Sequence, residues 1–166
     1  MATTTSILPL KEGSSGHPVT VIQGFLKTLK LYSGATDGVF GSQTKAAAIK
    51  FQQNNKLTAD GVVGPRTAIA LDNAVWVSKK KTLQEGSKGD EVRDLQELLS
   101  NYYKQVNIDG NFGPKTKAVV ADFQKARGLK ADGVMGPLTW ASLYTLITHD
   151  IPEDQRIAQI FSEEAC

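Results

Sequence analysis

The sequence predicts an all-α protein built of two tandem three-helix bundles and a short C-terminal helix. Three observations lead there: the chain repeats itself almost end to end, apolar residues recur at helical spacing, and an Asp-Gly-x-x-Gly-x-x-Thr octet occurs four times. The alternating β-branched pattern of half-buried strands is nearly absent. With 166 residues, the length suits one average domain or two of about 80 residues each. The repeat decides for two.

Sliding the sequence on itself aligns Leu10-Lys-Glu-Gly-Ser-Ser-Gly16 with Leu83-Gln-Glu-Gly-Ser-Lys-Gly89 at an offset of 73. Val19, Ile22, Gln23 and Leu26 return in the same way as Val92, Leu95, Gln96 and Leu99. From Asp37 the offset is 72, so the second copy has lost one residue between Leu99 and Asp109, and about half of the positions from Asp37 to Leu71 are identical. The octets stand at Asp37–Thr44, Asp60–Thr67, Asp109–Thr116 and Asp132–Thr139. The division that follows is an N-terminal tail over 1–9, a first domain over 10–72, a linker over 73–82, a second domain over 83–148 and a C-terminal amphipathic helix over 149–166.

Each octet reads as a turn that starts a helix. Asp-Gly supplies a residue able to take positive φ, an apolar anchor follows at Phe40, Val62, Phe112 or Val134, and the second glycine suits a helix N-cap. Pro65, Pro114 and Pro137 fall at the first helical position, where the missing N–H has no intrahelical partner to lose. The closing threonine is expected to reach back to the aspartate and hold the turn shut.

The first helix of copy one is marked by Val19, Ile22, Leu26 and Leu29, and that of copy two by Val92, Leu95, Leu98, Leu99 and Tyr102. The second helix follows the first octet and turns Ala47, Ala48 and Phe51, or Val119, Val120 and Phe123, to one side. The third follows the second octet with Ile69 and Leu71, or Trp140, Leu143 and Leu146. Lys79-Lys80-Lys81 reads as a solvated linker, with an anion-binding patch as the alternative. Asp150-Ile-Pro-Glu153 starts a last helix whose Ile157, Ile160 and Phe161 share a face, expected to pack on the second bundle.

Composition narrows the chemistry. Nineteen basic against 17 acidic residues leave a net charge of +2, too little to hold nucleic acid or an anionic membrane by charge. No apolar run approaches the ~20 residues of a membrane span, and the start carries no secretion-signal pattern. Cys166 is the single cysteine, so neither an intrachain disulfide nor a thiolate metal site is available. His17 and His149 read as solvated loop residues without a neighbouring nucleophile or carboxylate. One acidic side chain per octet falls short of the several that a calcium loop needs. Neither the second nor the third helix concentrates Arg and Lys as a DNA-reading helix does. No metal or cofactor is expected.

The order Leu-x-x-Gly-x-x-Gly-x-x-Val-x-x-Leu/Ile-Gln, then Asp-Gly-x-Phe-Gly-x-x-Thr, then Phe-Gln, then Asp-Gly-x-x-Gly-Pro-x-Thr resembles the peptidoglycan-binding domain family, over residues 10 to 72 and again over 83 to 146. The resemblance implies small three-helix modules, carried singly or in tandem on bacterial wall hydrolases and phage endolysins, that attach to peptidoglycan without catalysing anything. It also implies a location at the bacterial cell wall or periplasm, reached by lysis or another route where no signal is visible. Copy two keeps the family's Phe123-Gln124-Lys-Ala-Arg-Gly128-Leu129, whereas copy one reads Phe51-Gln52-Gln-Asn-Asn-Lys56-Leu57, leaving Asn55 to take the left-handed role. Copy one also has Ala68 where copy two has Trp140, and Gly24 where copy two has Glu97, which marks copy two as the better-preserved binder.

Two functions of different class follow. One is a noncatalytic module attaching to glycan and stem peptide, with a separate wall hydrolase as a partner. The other is a structural or adaptor protein that keeps the fold and contacts proteins. No segment outside the copies is long enough to house an enzyme's site. Sugar rings stack on aromatic faces and take amide and guanidinium hydrogen bonds, so the contact candidates are Tyr103, Arg127, Tyr102, Gln124 and Tyr32. Of the tyrosine pair, Tyr102 is expected to complete the first-helix stripe in the core and Tyr103 to face solvent.

Overall fold

The computed structural model describes residues 6–162, so Cys166 lies outside the described residues. Among the described residues seven helices run in order: α1 (His17–Thr28), α2 (Ser42–Asn54), α3 (Pro65–Ser78), α4 (Asp90–Tyr102), α5 (Pro114–Ala126), α6 (Pro137–Ile147) and α7 (Glu153–Ile160). Among the described residues there is no strand, only isolated bridges that repeat between copies: Leu10 with Val63 and Ser15 with Val39, then Leu83 with Met135 and Lys88 with Asn111. The chain forms two compact units. Of the described residues, the first comprises 6–76 together with 151–162, and the second runs from Val77 to Asp150.

In each unit an extended lead segment ties both octets together. In the first, Leu10 and Val63 exchange backbone hydrogen bonds at 3.0 and 2.8 Å, Phe40 N–H donates to Ser14 O at 2.9 Å, and Gly16 N–H donates to Gly38 O at 2.8 Å. The second unit repeats them at Leu83 with Met135, Phe112 with Ser87, and Gly89 with Gly110. The helices start as the octets predict. Gly41, Gly113 and Gly136 are extended N-cap residues, and Pro65, Pro114 and Pro137 open α3, α5 and α6. Gly38, Gly61, Gly110 and Gly133 all sit at φ near +70°, the left-handed conformation that a Cβ disfavours. The anchor is the fourth octet residue throughout. Phe40, Val63, Phe112 and Met135 are buried, whereas Val62 and Val134, the residues expected in two octets, are half-buried.

The core of the first unit gathers Val19, Ile22 and Leu26 of α1, Ala47, Ala48 and Phe51 of α2, and Ala68 and Leu71 of α3. Leu8 joins that core, so buried packing begins inside the stretch assigned to the tail. The second unit buries the corresponding Val92, Leu95 and Leu99, Val120 and Phe123, and Trp140 and Leu143. No described helix is long and apolar enough to cross a membrane.

Four expectations need correction. The last helix packs on the first unit: Ile160 and Phe161 are buried in its core, Ile157 lies against it, and Arg156 of α7 pairs with Asp72 at 3.7 Å and bonds the Asn73 side chain. An apolar stripe predicts that a helix docks, and says nothing of where. The segment 73–82 is not an open linker, because α3 continues to Ser78 and Lys81 O accepts the Trp140 indole N–H at 3.0 Å. The left-handed residue after α2 is Lys56 at φ 56°, standing where copy two has Gly128, while Asn55 caps at φ −106°. Tyr102 and Tyr103 are inverted, because α4 ends at Tyr102 and leaves its ring 47% exposed, whereas Tyr103, at φ −136° and ψ −74°, turns back onto the protein.

Candidate functional site

Each octet is closed by a buried glutamine from the preceding helix. Gln124 Nε2 donates to Asp132 Oδ1 at 2.9 Å, to Val134 O at 2.9 Å and to Thr139 Oγ1 at 3.0 Å, and Gln124 Oε1 accepts the Gly133 N–H at 2.8 Å. The same bonds join Gln23 to Asp37, Gly38, Val39 and Thr44, and Gln52 to Asp60, Gly61, Val62 and Thr67. Gln96 repeats them with Asp109, Gly110, Asn111 and Thr116. The threonine therefore meets the glutamine amide, and the glutamine holds the aspartate. The second oxygen-side contact of each turn is local: Asp132 Oδ1 also accepts the Val134 N–H at 3.0 Å.

These bonds favour the charged carboxylate. Hydrogen bonds from Gln23 and then Val39 hold Asp37 below its ordinary value. Asn111 and then Gln96 do so for Asp109, and Val134 and then Gln124 for Asp132.

The second octet of each unit borders an open hollow, at corresponding positions. In the first unit it has a volume of about 460 Å³ and is lined by Lys56, Leu57, Gly64, Pro65, Arg66 and Glu153 together with Gln52, Asp60 and Thr67 of the turn. In the second the volume is about 260 Å³, bordered by Leu129, Lys130, Val134, Gly136, Pro137 and Leu138. A Cβ built on Gly64 or Gly136 meets nothing within 4 Å, as at Gly41 and Gly113 of the first octets. A smaller hollow of about 190 Å³ lies among Lys79, Lys80, Lys81, Glu91, Asp94 and Trp140, with the Lys80 ammonium 5.5 Å from the Trp140 ring centroid and Lys81 paired to Glu91 at 3.2 Å.

The candidate contact residues fall in different places. Gln124 is 2% exposed, its amide is committed to its turn, and it lines the second hollow. Tyr32 O–H donates to Ala35 O at 2.8 Å and accepts from Gln23, and its ring lies against the first core. Tyr103 and Arg127 meet around Phe123: the Tyr103 ring stands edge-on to it at 5.2 Å, and the guanidinium is 5.8 Å from its centroid. Tyr103 O–H donates to Asp122 at 3.1 Å beside the Lys104 ion pair, and burial, then Asp122, hold its phenol above the ordinary value. Arg127 donates to Ser142 Oγ and O at 3.2 and 3.3 Å. Of the five, Tyr102 offers an open ring. His17 and His149 are exposed.

Arg66 and Leu138, which line the two hollows, are not among the contact residues that the sequence suggests. They are one of two differences between the second octets of the copies, the other being Val63 against Met135.

The family model described as "Putative peptidoglycan binding domain" matches residues 15–71 and 88–143. An N-acetylmuramoyl-L-alanine amidase, CwlL, of Bacillus licheniformis is 34% identical over 165 residues, covering 83% of this chain and 46% of the amidase. A zinc D-Ala-D-Ala carboxypeptidase of Streptomyces albus G is 50% identical over 72 residues, 42% of this chain and 28% of that enzyme. The solved SleB N-terminal domain is 37% identical with a TM-score of 0.41, covering 42% of this chain and 96% of that domain. The chain thus spans about half the length of the amidase it matches, or less for the carboxypeptidase.

Proposed function

The chain belongs to the peptidoglycan-binding domain family, matched twice along its length, and from that premise we propose that it is a noncatalytic tandem module that attaches to the peptidoglycan of bacterial cell walls. The observation that best supports this reading is the pair of corresponding hollows beside the second octets, each on a turn fixed by a buried glutamine. A rigid turn presents its surface to a ligand at little ordering cost. Two weak sites on one chain raise avidity toward a repeating polymer.

Tyr102, with its open ring, is the aromatic best placed to stack on a sugar. Tyr103 and Arg127 act first on their own unit, supporting Phe123 and Ser142. The matched relatives are wall hydrolases by name, which supports a role in holding such an enzyme at the wall. The test is incubation of the pure chain with protein-free bacterial sacculi. Co-sedimentation with no soluble wall fragments is the expected result. Fragment release overturns the noncatalytic reading, and failure to sediment on every wall type transfers the weight to an adaptor that contacts proteins.

A further inference from the structure

The hollow of the first unit is bordered by four charged side chains, Lys56, Asp60, Arg66 and Glu153, and that of the second by two, Lys130 and Asp132. Both sets are net neutral, so neither hollow favours one sign of ligand. They reach that balance by different routes. Lys56 and Arg66 stand where the second unit has Gly128 and Leu138, and Lys130 stands where the first unit has Thr58. The repeat thus gives the first hollow one cation more, and the anion that offsets it comes from outside the repeat, at Glu153 of α7. That helix is fixed by Ile160 and Phe161 in the first unit's core and by Arg156, which pairs with Asp72 at 3.7 Å. Glu153 lies in its first turn and is exposed. Among the described residues, neither Glu153 nor Lys56 nor Arg66 is joined to another charge in an ion pair.

Resting on the wall-binding reading above, we infer that the first hollow is a subsite for a zwitterionic amino-acid end, an ammonium and a carboxylate on one carbon, with Glu153 as the specificity-determining residue that receives the ammonium. A neutral hollow exerts no net field on an ion of either sign, whereas a group carrying both charges meets an opposite partner for each. Lys56 and Arg66 suit the carboxylate, the guanidinium through paired N–H···O bonds. Asp60 already accepts from the Gln52 amide and the Val62 N–H, which leaves Glu153 for the ammonium. In peptidoglycan this group occurs at the free end of a diaminopimelate side chain in the stem peptide, while a lysine in that place ends in an ammonium alone. The second hollow lacks the added anion, and its Asp132 is held by its own turn in the same way as Asp60. It does not single out the zwitterion.

The experiment titrates the full-length chain, E153Q and D154N with three soluble disaccharide-tripeptides ending in diaminopimelate: one with the side-chain end free, one with its amine acetylated and one with its carboxyl amidated. Amide NMR shifts of Gly64 and Arg66 report the first hollow alone. Asp154 is the neighbouring acid in the first turn of α7 and lies outside the hollow's lining, so D154N controls for charge at the helix start. Wild type and D154N are expected to bind the free end about three- to fivefold more tightly than either capped form, the scale of exposed ion pairs. E153Q is expected to bind the free and acetylated forms alike and still to disfavour the amidated one. Both positions are exposed, and unchanged melting temperatures confirm that the variants fold. Equal binding of all three forms by the wild type overturns the inference alone, as does an E153Q that keeps the preference for the free amine or a D154N that loses it. Absence of tripeptide binding by a chain that sediments with sacculi does the same. A wild type that sediments with no sacculi overturns the wall-binding reading instead, and the inference with it.

Discussion

Gln124 and Asp132 face each other across a turn, the buried amide donating to the exposed carboxylate at 2.9 Å, and the same pairing recurs at Gln23 with Asp37, Gln52 with Asp60 and Gln96 with Asp109. Each glutamine also accepts the glycine N–H that follows its aspartate, so one side chain satisfies both edges of the turn. The turns are as much a part of the core as the helices are.

Replacing Gln96 by leucine keeps much of the volume and removes the partners of Asp109, Gly110, Asn111 and Thr116 at once. Buried groups left unmatched cost about 2–4 kcal/mol together. Urea unfolding of Q96L checks this, and a loss below about 1 kcal/mol contradicts the central place given to the amide.

The two glycines of an octet are expected to differ. Gly133 has φ +70°, and a Cβ there lies 2.6 Å from Lys117 Cγ, whereas Gly136 is extended with open space around it. Gly133→Ala is expected to cost about 1–2 kcal/mol, and Gly136→Ala less than about 1 kcal/mol. Thermal melts of both variants decide, and equal costs contradict the turn assignment.

Acid should loosen the turns. Asp37, Asp109 and Asp132 bind protons less readily folded than unfolded. Their contribution is complete above the ordinary aspartate value near 3.9 and is lost as pH falls below it, through the lowered folded values. Melting temperature is therefore expected to hold from about pH 7 to 5 and to drop below about 4, with D109N flattening part of that drop. A melting temperature that rises as pH falls contradicts the sign.

Phe161→Ala empties part of the first unit's core and is expected to cost that unit about 3 kcal/mol. Hydrogen exchange in the full chain reads the location. Protection should fall in α1–α3 while α4–α6 keep theirs, and the reverse contradicts the docking of α7 on the first unit.

The octets made much of this legible, because Asp-Gly, a cap glycine and a helix-opening proline each carry a local backbone consequence. The glutamine clamp is present in the repeat as Gln23 with Gln96 and Gln52 with Gln124, yet its partner is fixed by packing between separate segments, and local spacing alone pairs the threonine with the aspartate. The target of α7 was equally non-local: Ile157, Ile160 and Phe161 define a face, and only tertiary structure names the surface it covers. Tyr102 and Tyr103 exchanged environments because α4 ends between them, and a periodicity count does not survive a helix end.

The most direct test of the central claim fills both hollows. A Cβ at Gly64 or Gly136 meets no atom within 4 Å, neither glycine takes a positive φ, and both border an open hollow, so the double leucine variant should fold with helical circular dichroism unchanged. Co-sedimentation with purified sacculi is then compared with that of the wild-type chain. The account predicts that the wild type sediments and that the folded double variant loses most of its binding. Undiminished binding by a folded chain with both hollows filled contradicts it.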